Sequence, residues 1–332
     1  MIKAGAADRA LALAAARQFD QAASLLGEAA SEGDPDARFV LAMWRIAGTI
    51  VRRDLGIARA LLAGAAASGH VDAGLIHGCF LAAGTGGPAD WPAAVRQVRA
   101  LAARDSRAAE QIGVIDTLDL GEDGLGTAAF DIETLDTAPR VSVARGFASP
   151  AQCGHILAWA RPQLQPSMVV DPRSGAMTPH PIRTSEGAHV AVTQEDLVIN
   201  ALNRRIAAVT GTSLAQGEAL QILSYRPGME YKPHFDTLPA EANQRILTAL
   251  VYLSDDYEGG ETRFMSTGLC FKGRKGDALL FWNVLPNGEA DPAAQHAGLP
   301  VRRGTKAIAS RWIRARPFVF PPPVPVTGAR FG

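Results

Sequence analysis

Residues 231–239 read YKPHFDTLP and set His234 and Asp236 one residue apart, with aromatic side chains on both sides. On an extended strand, residues two apart point to the same face, so this pattern can present an imidazole and a carboxylate together. The same pair also suits a hydrogen-bonded turn, and taken alone His-x-Asp is more often that than a ligand set. Two ligands are too few for a metal in any case. The best third is His296 in AAQHAGLPV (293–301); His70 and His77 sit in an Ala-rich helical stretch, His155 in a predicted helix, and His180 and His189 in a polar loop and strand.

Two histidines and one carboxylate form a facial set that leaves positions open on Fe(II). Around them the chain is made of short strand-like runs, EALQILSYRPG, RILTALVYLSD, GDALLFWNV and GTKAIASRWIRA, bounded by Gly, Pro, Asp and Asn. In the last run Lys306, Ile308, Ser310 and Trp312 share one face. A lysine there is either a solvated residue of an edge strand or an ammonium that anchors a carboxylate, and spacing does not choose between them. A helix precedes the strands at SPAQCGHILAWARPQL (149–164), with Ser149 as N-cap and Pro150 in its first position. One helix followed by many short strands points to a sandwich or barrel rather than a parallel sheet.

The first third of the chain differs in kind. Residues 1–118 are rich in Ala and Leu and repeat: AGT at 47–49 returns at 83–85, Asp54 as Asp90, Ala58 as Ala94, each 36 residues on. EAASEGDPDA (28–37) is echoed by GAAASGHVDA (64–73). Such a period marks stacked helix pairs, and the pattern resembles Sel1-like repeats, relatives of the tetratricopeptide repeat. The expected organisation is an α-solenoid over 1–118, an acidic, Gly-containing linker over 119–139, a strand-rich domain over 140–320 and a Pro-rich tail over 321–332.

Composition narrows the partners. With 33 basic and 33 acidic residues in 332, no charge excess argues for nucleic acid or an anionic membrane. The longest strongly apolar run, Leu247–Leu253, is too short to span a bilayer. The N-terminus carries Asp8, Arg9, Arg17 and Asp20 through its apolar stretch and so lacks a signal-peptide core. Cys79, Cys153 and Cys270 match no zinc or disulfide spacing and read as buried, reduced thiols. A cytoplasmic location is the expectation.

SYRPGMEYKPHFDTL, RILTALVYLSDDYEGGETRF, the run from Gly276 to Ala315 and the earlier RTSEGA, in that spacing, resemble prolyl 4-hydroxylases of the 2-oxoglutarate and Fe(II)-dependent dioxygenase superfamily. The resemblance covers roughly 140–318 and implies an α+β multidomain chain, its solenoid followed by a double-stranded β-helix (jelly roll). It makes His234, Asp236 and His296 the iron ligands, and Lys306, Thr262 and Tyr225 the residues that hold 2-oxoglutarate. Tyr231, Arg245 and Trp312 fall where relatives contact substrate, and Arg183 on a family landmark of no derivable role. The implied reaction hydroxylates an unactivated C–H bond, foremost of a prolyl residue in a peptide or protein, using dioxygen, with ascorbate as an accessory reductant, and releases succinate and carbon dioxide. The helical repeats then suggest capture of that peptide. Two departures, Ala307 where many relatives have Trp and Arg314 where they have His, bear on the substrate. The competing readings are a repeat scaffold carrying an inactive dioxygenase fold, and a hydroxylase of a free amino acid or small molecule.

Overall fold

The computed structural model describes residues 5–126, 130–170, 177–179 and 181–318. The Pro-rich tail expected at 321–332 and His180 lie outside the described residues. Among the described residues no helix is long and apolar enough to cross a membrane.

Among the described residues seven helices come first: α1 (Ala6–Ala15), α2 (Phe19–Ser31), α3 (Pro35–Ala47), α4 (Leu55–Ala67), α5 (Val71–Ala83), α6 (Trp91–Leu101) and α7 (Ser106–Ile115). Each packs on its neighbours in the chain. Residues 36 apart do the same local work. Asp54 and Asp90 cap α4 and α6 by accepting from Ile57 and Ala93 N–H, satisfying donors that a helix start leaves free. Gly48 and Gly84 end α3 and α5 at φ 70° and 72°, a left-handed conformation that costs glycine little.

Among the described residues twelve strands make the two sheets of the second half: β1 (Ile132–Thr137), β2 (Arg140–Ala144), β3 (Gln165–Pro166), β4 (Glu186–His189), β5 (Gln221–Tyr225), β6 (Tyr231–His234), β7 (Arg245–Tyr252), β8 (Thr262–Phe264), β9 (Cys270–Phe271), β10 (Ala278–Trp282), β11 (His296–Gly298) and β12 (Lys306–Arg314). They form an antiparallel major sheet in the order β1-β2-β10-β7-β12-β5-β4-β3 and a minor sheet in the order β9-β8-β11-β6. Two small hairpins, Tyr257–Gly259 with Val301–Gly304 and Met168–Val170 with Met177–Pro179, flank them. The packed pair of sheets is a jelly roll.

Both faces of the major sheet are buried, which is why its central strands read as unbroken apolar runs. Leu247, Ala249 and Val251 of β7 face a core shared with α8 (Pro150–Ala160) and α9 (Leu197–Thr210). Leu250 and Tyr252 face the other way, toward Phe264 and Phe271 of the minor sheet. The predicted helix at 149–164 is α8, capped by Ser149 as expected but ending at Ala160, with a 3-10 turn over Arg161–Gln163.

α9 was not expected from the sequence. Ile199, Leu202 and Ile206 pack on the sheet, while Leu197, Val198 and Ala201 pack on α5–α7. A helix sandwiched in this way lacks the single apolar stripe that marks a surface helix. Through it the repeats dock onto the sheet. Arg204 of α9 donates to the carbonyls of Ala82 at the end of α5 and of Asp123.

Two further expectations need correction. The stretch expected as a linker, 119–139, contains β1, which hydrogen-bonds to β2 at the edge of the major sheet. Its side chains are mostly exposed, so it carries no apolar alternation to give it away. Cys79 and Cys153 are buried free thiols, but Cys270 is exposed, because on the edge strand β9 Phe271 takes the inward position.

Candidate active site and metal centre

The site lies between the two sheets. The minor sheet's register sets His296 on β11 directly opposite His234 on β6, with Phe264 of β8 opposite His296 on its other side. Asp236 follows two residues after the end of β6, and its two carboxylate oxygens stand 3.6 Å from His234 Nε2 and 3.7 Å from His296 Nε2. The three potential ligand atoms lie within 4.8 Å of one another, and all three residues are buried.

Each side chain is oriented by a bond of its own. Nδ1 of His234 lies 2.9 Å from the Lys232 carbonyl, and Nδ1 of His296 lies 3.0 Å from the Ala294 carbonyl. A carbonyl accepts only, so the ring proton sits on Nδ1 and Nε2 offers its lone pair to the shared centre. Burial, with the His296 ring beside it, pushes His234 down to about 4, so its imidazole is neutral near pH 7. Burial alone would push Asp236 up, but His296, His234 and the Thr248 hydroxyl together hold it below the usual carboxylate range. Two imidazoles with preset Nε2 lone pairs and an ionised carboxylate fit a divalent Fe(II) ion.

The major sheet supplies the rest of the cavity. Lys306, Ile308, Ser310 and Trp312 alternate inward along β12 and line it together with Leu223, Leu250 and Thr262. Lys306 pairs in register with Tyr225 of β5. It is 3% exposed, and its ammonium donates to the Gly260 carbonyl at 2.7 Å, with no carboxylate at ion-pair distance among the described residues. Burial lowers it to about 8, which still leaves it charged near neutrality. A buried cation facing a cavity with no counter-ion is a receptor for an anion. Thr262, on the opposite wall, is held by the Tyr252 hydroxyl at 3.0 Å. Burial pushes the Tyr225 phenol up to about 12, so it stays protonated and can donate.

The sequence-derived residues do not all enter the cavity. Tyr231 does, stacked on His234 with ring centroids 3.5 Å apart, and so does Trp312. Arg245 is absent from the cavity wall: its guanidinium is held by both oxygens of Glu218, at 2.6 and 2.8 Å, and lies 3.9 Å over the Trp312 ring. It positions Trp312 instead. Arg183 pairs with Tyr231 by an isolated β-bridge and extends the edge beside β6. Of the two departures, Ala307 faces the core beneath α8 and α9, on the opposite side of β12 from Lys306, so its size concerns helix packing. Arg314 is spent on Glu218. Thr248, Asn283 and Tyr252, which hold Asp236 and Thr262, were missed because polar residues inside an apolar strand show their partner only once the strands are paired.

The profile of the 2OG-Fe(II) oxygenase superfamily matches residues 220–314. Prolyl 4-hydroxylase 1 of Arabidopsis thaliana is 36% identical over 203 residues, spanning 55% of this chain and 72% of that protein. Probable prolyl 4-hydroxylase 10 of the same plant is 35% identical over 211 residues, spanning 56% of this chain and 73% of its own. Among solved structures, the viral collagen prolyl hydroxylase of Paramecium bursaria Chlorella virus-1, in its 2OG complex, is 27% identical and covers 53% of this chain and 96% of its own, with a TM-score of 0.44.

Proposed function

Because the chain belongs to the prolyl 4-hydroxylase family of 2OG-Fe(II) oxygenases, we propose that it hydroxylates a prolyl residue of a peptide or protein at the centre formed by His234, Asp236 and His296. Fe(II), 2-oxoglutarate and dioxygen are its cofactor and cosubstrates, and together they supply the oxidising power that turns C–H into C–OH with release of succinate and carbon dioxide.

The protein's own part is to bind, orient and exclude water. His234 and His296 present fixed Nε2 lone pairs, and Asp236 a carboxylate kept ionised by its neighbours. Lys306 offers its ammonium to the far carboxylate of 2-oxoglutarate, and the Thr262 and Tyr225 side chains line the same cavity. Leu223, Leu250 and Ile308 make the remaining wall apolar, which strengthens the Lys306–carboxylate attraction and keeps bulk water from the reacting centre. Tyr231 and Trp312 are the aromatic surfaces available to a substrate ring. Any peptide captured by the repeats would use a face other than that of α5–α7, which is spent on α9.

The observation that carries this reading is the buried, counter-ion-free ammonium of Lys306 in one cavity with the His/Asp/His cluster. Anaerobic titration with Fe(II) and 2-oxoglutarate tests it through the visible charge-transfer band of the chelate. The band is expected in the wild type and absent in His234→Ala; a folded wild-type protein without it would sink the assignment.

A further inference from the structure

A second cavity, of about 460 Å³, opens on the opposite face of β12 from Lys306, where the repeats meet the sheet. Ile46 and Ala83 of α3 and α5 form one wall, and Val190, Leu214 and Phe318 others. Arg311 lines it and is 3% exposed. Its Nη2 donates to the Leu214 carbonyl at 3.1 Å, while Nε and Nη1 meet no acceptor among the described residues.

No described carboxylate reaches ion-pair distance of this guanidinium. Glu195, another residue of the lining, acts on it only from farther away and already accepts from Asn200 Nδ2 at 2.7 Å. Glu218, also on the wall, is taken by Arg245 and Arg314. Yet the position is built. A Cβ placed on Gly217 would overlap Nε, Cζ and Nη2 of Arg311, so the chain omits a side chain there to admit the guanidinium. Keeping a guanidinium buried without a carboxylate partner is costly to the free protein, and an anion in the cavity beside it would offset that charge.

We propose that this cavity binds a small monocarboxylate with an apolar body, its carboxylate on Arg311. The lining selects the class. Ile46, Val190, Leu214 and Phe318 suit a short carbon chain, and the Glu195 carboxylate in the same lining repels a second negative charge.

The test is calorimetric titration of the full chain with isovalerate, its uncharged amide and inorganic phosphate. Saturable binding of isovalerate alone is expected, unchanged in Lys306→Met and at least tenfold weaker in Arg311→Met. Arg311→Met removes a buried charge and is expected to fold. Ala215→Trp, at an exposed position on the rim, is a second block that leaves the guanidinium in place and is expected to weaken binding too. Failure of isovalerate to bind, equal binding by Arg311→Met, loss in Lys306→Met instead, or preference for phosphate or the amide would each overturn the proposal.

Discussion

The Thr248 hydroxyl donates to Oδ2 of Asp236 at 2.6 Å and itself accepts from Asn283 Nδ2 at 2.9 Å. Asn283 thereby fixes the direction of the hydroxyl proton, and the proton fixes the carboxylate. Partners of this kind that orient a metal ligand are worth about 10- to 100-fold in metal affinity. Thr248→Val is therefore expected to weaken Fe(II) or Mn(II) binding by about that factor, read by competition with a chelating dye, while Thr248→Ser restores it. Unchanged affinity in the valine variant would show that Asp236 needs no such support.

Lys306 sets function against stability. An unpaired buried ammonium destabilises the fold, and replacing such charges by apolar groups of similar volume is neutral or stabilising by about 1–4 kcal/mol. Lys306→Met is expected to melt no lower than the wild type in the absence of 2-oxoglutarate, and to lose both 2-oxoglutarate binding and the thermal shift that cosubstrate gives. A sharply lower melting temperature would mean that the ammonium is chiefly a structural partner of Gly260.

The lowered pKa of Lys306, to about 8, gives 2-oxoglutarate binding a pH dependence of definite sign. On the proposed function the cosubstrate's far carboxylate binds the protonated lysine, so affinity is expected to be full below the free-protein pKa and to fall as pH rises through it, by about tenfold per unit once the lysine is neutral. For folding the sign is the reverse. Because the folded pKa lies below the unfolded value, Lys306 penalises the cosubstrate-free fold at neutral pH, and that penalty disappears as pH rises past both. Calorimetry from pH 6.5 to 9.5 checks the binding arm. Lys306→Arg, where it binds, stays charged throughout and is expected to flatten the decline.

The helical repeats are expected to be inseparable from the catalytic half. Removing residues 1–118 uncovers Leu197, Val198 and Ala201 of α9, all fully buried in the intact chain. The truncated protein is expected to aggregate, measured by light scattering, unless those positions are made polar. Arg204→Ala is the milder probe. It leaves the carbonyls of Ala82 and Asp123 without this donor and is expected to cost about 1–3 kcal/mol. Faster amide exchange in α5 and α9 would accompany it, whereas unchanged exchange would mean that apolar packing alone holds the two parts together.

The sequence alone determined the parts of this protein governed by local rules. Capping aspartates and left-handed glycines 36 residues apart marked the helices, and unbroken apolar runs marked the strands of a doubly covered sheet. His234, Asp236, His296 and Lys306 were legible through the resemblance of the motifs around them to prolyl 4-hydroxylases, since spacing alone left both the His-x-Asp pair and the lysine open. What the sequence did not carry was decided by contacts between distant segments. α9 has two apolar faces because it lies between two partners, and β1 has almost none because it edges a sheet. Arg245 belongs to Glu218 and Trp312, and the support of Asp236 by Thr248 and Asn283 exists only once β7 and β10 are paired. A side chain's type limits what it can bind; its partner is chosen by register and packing, which join residues far apart in the chain.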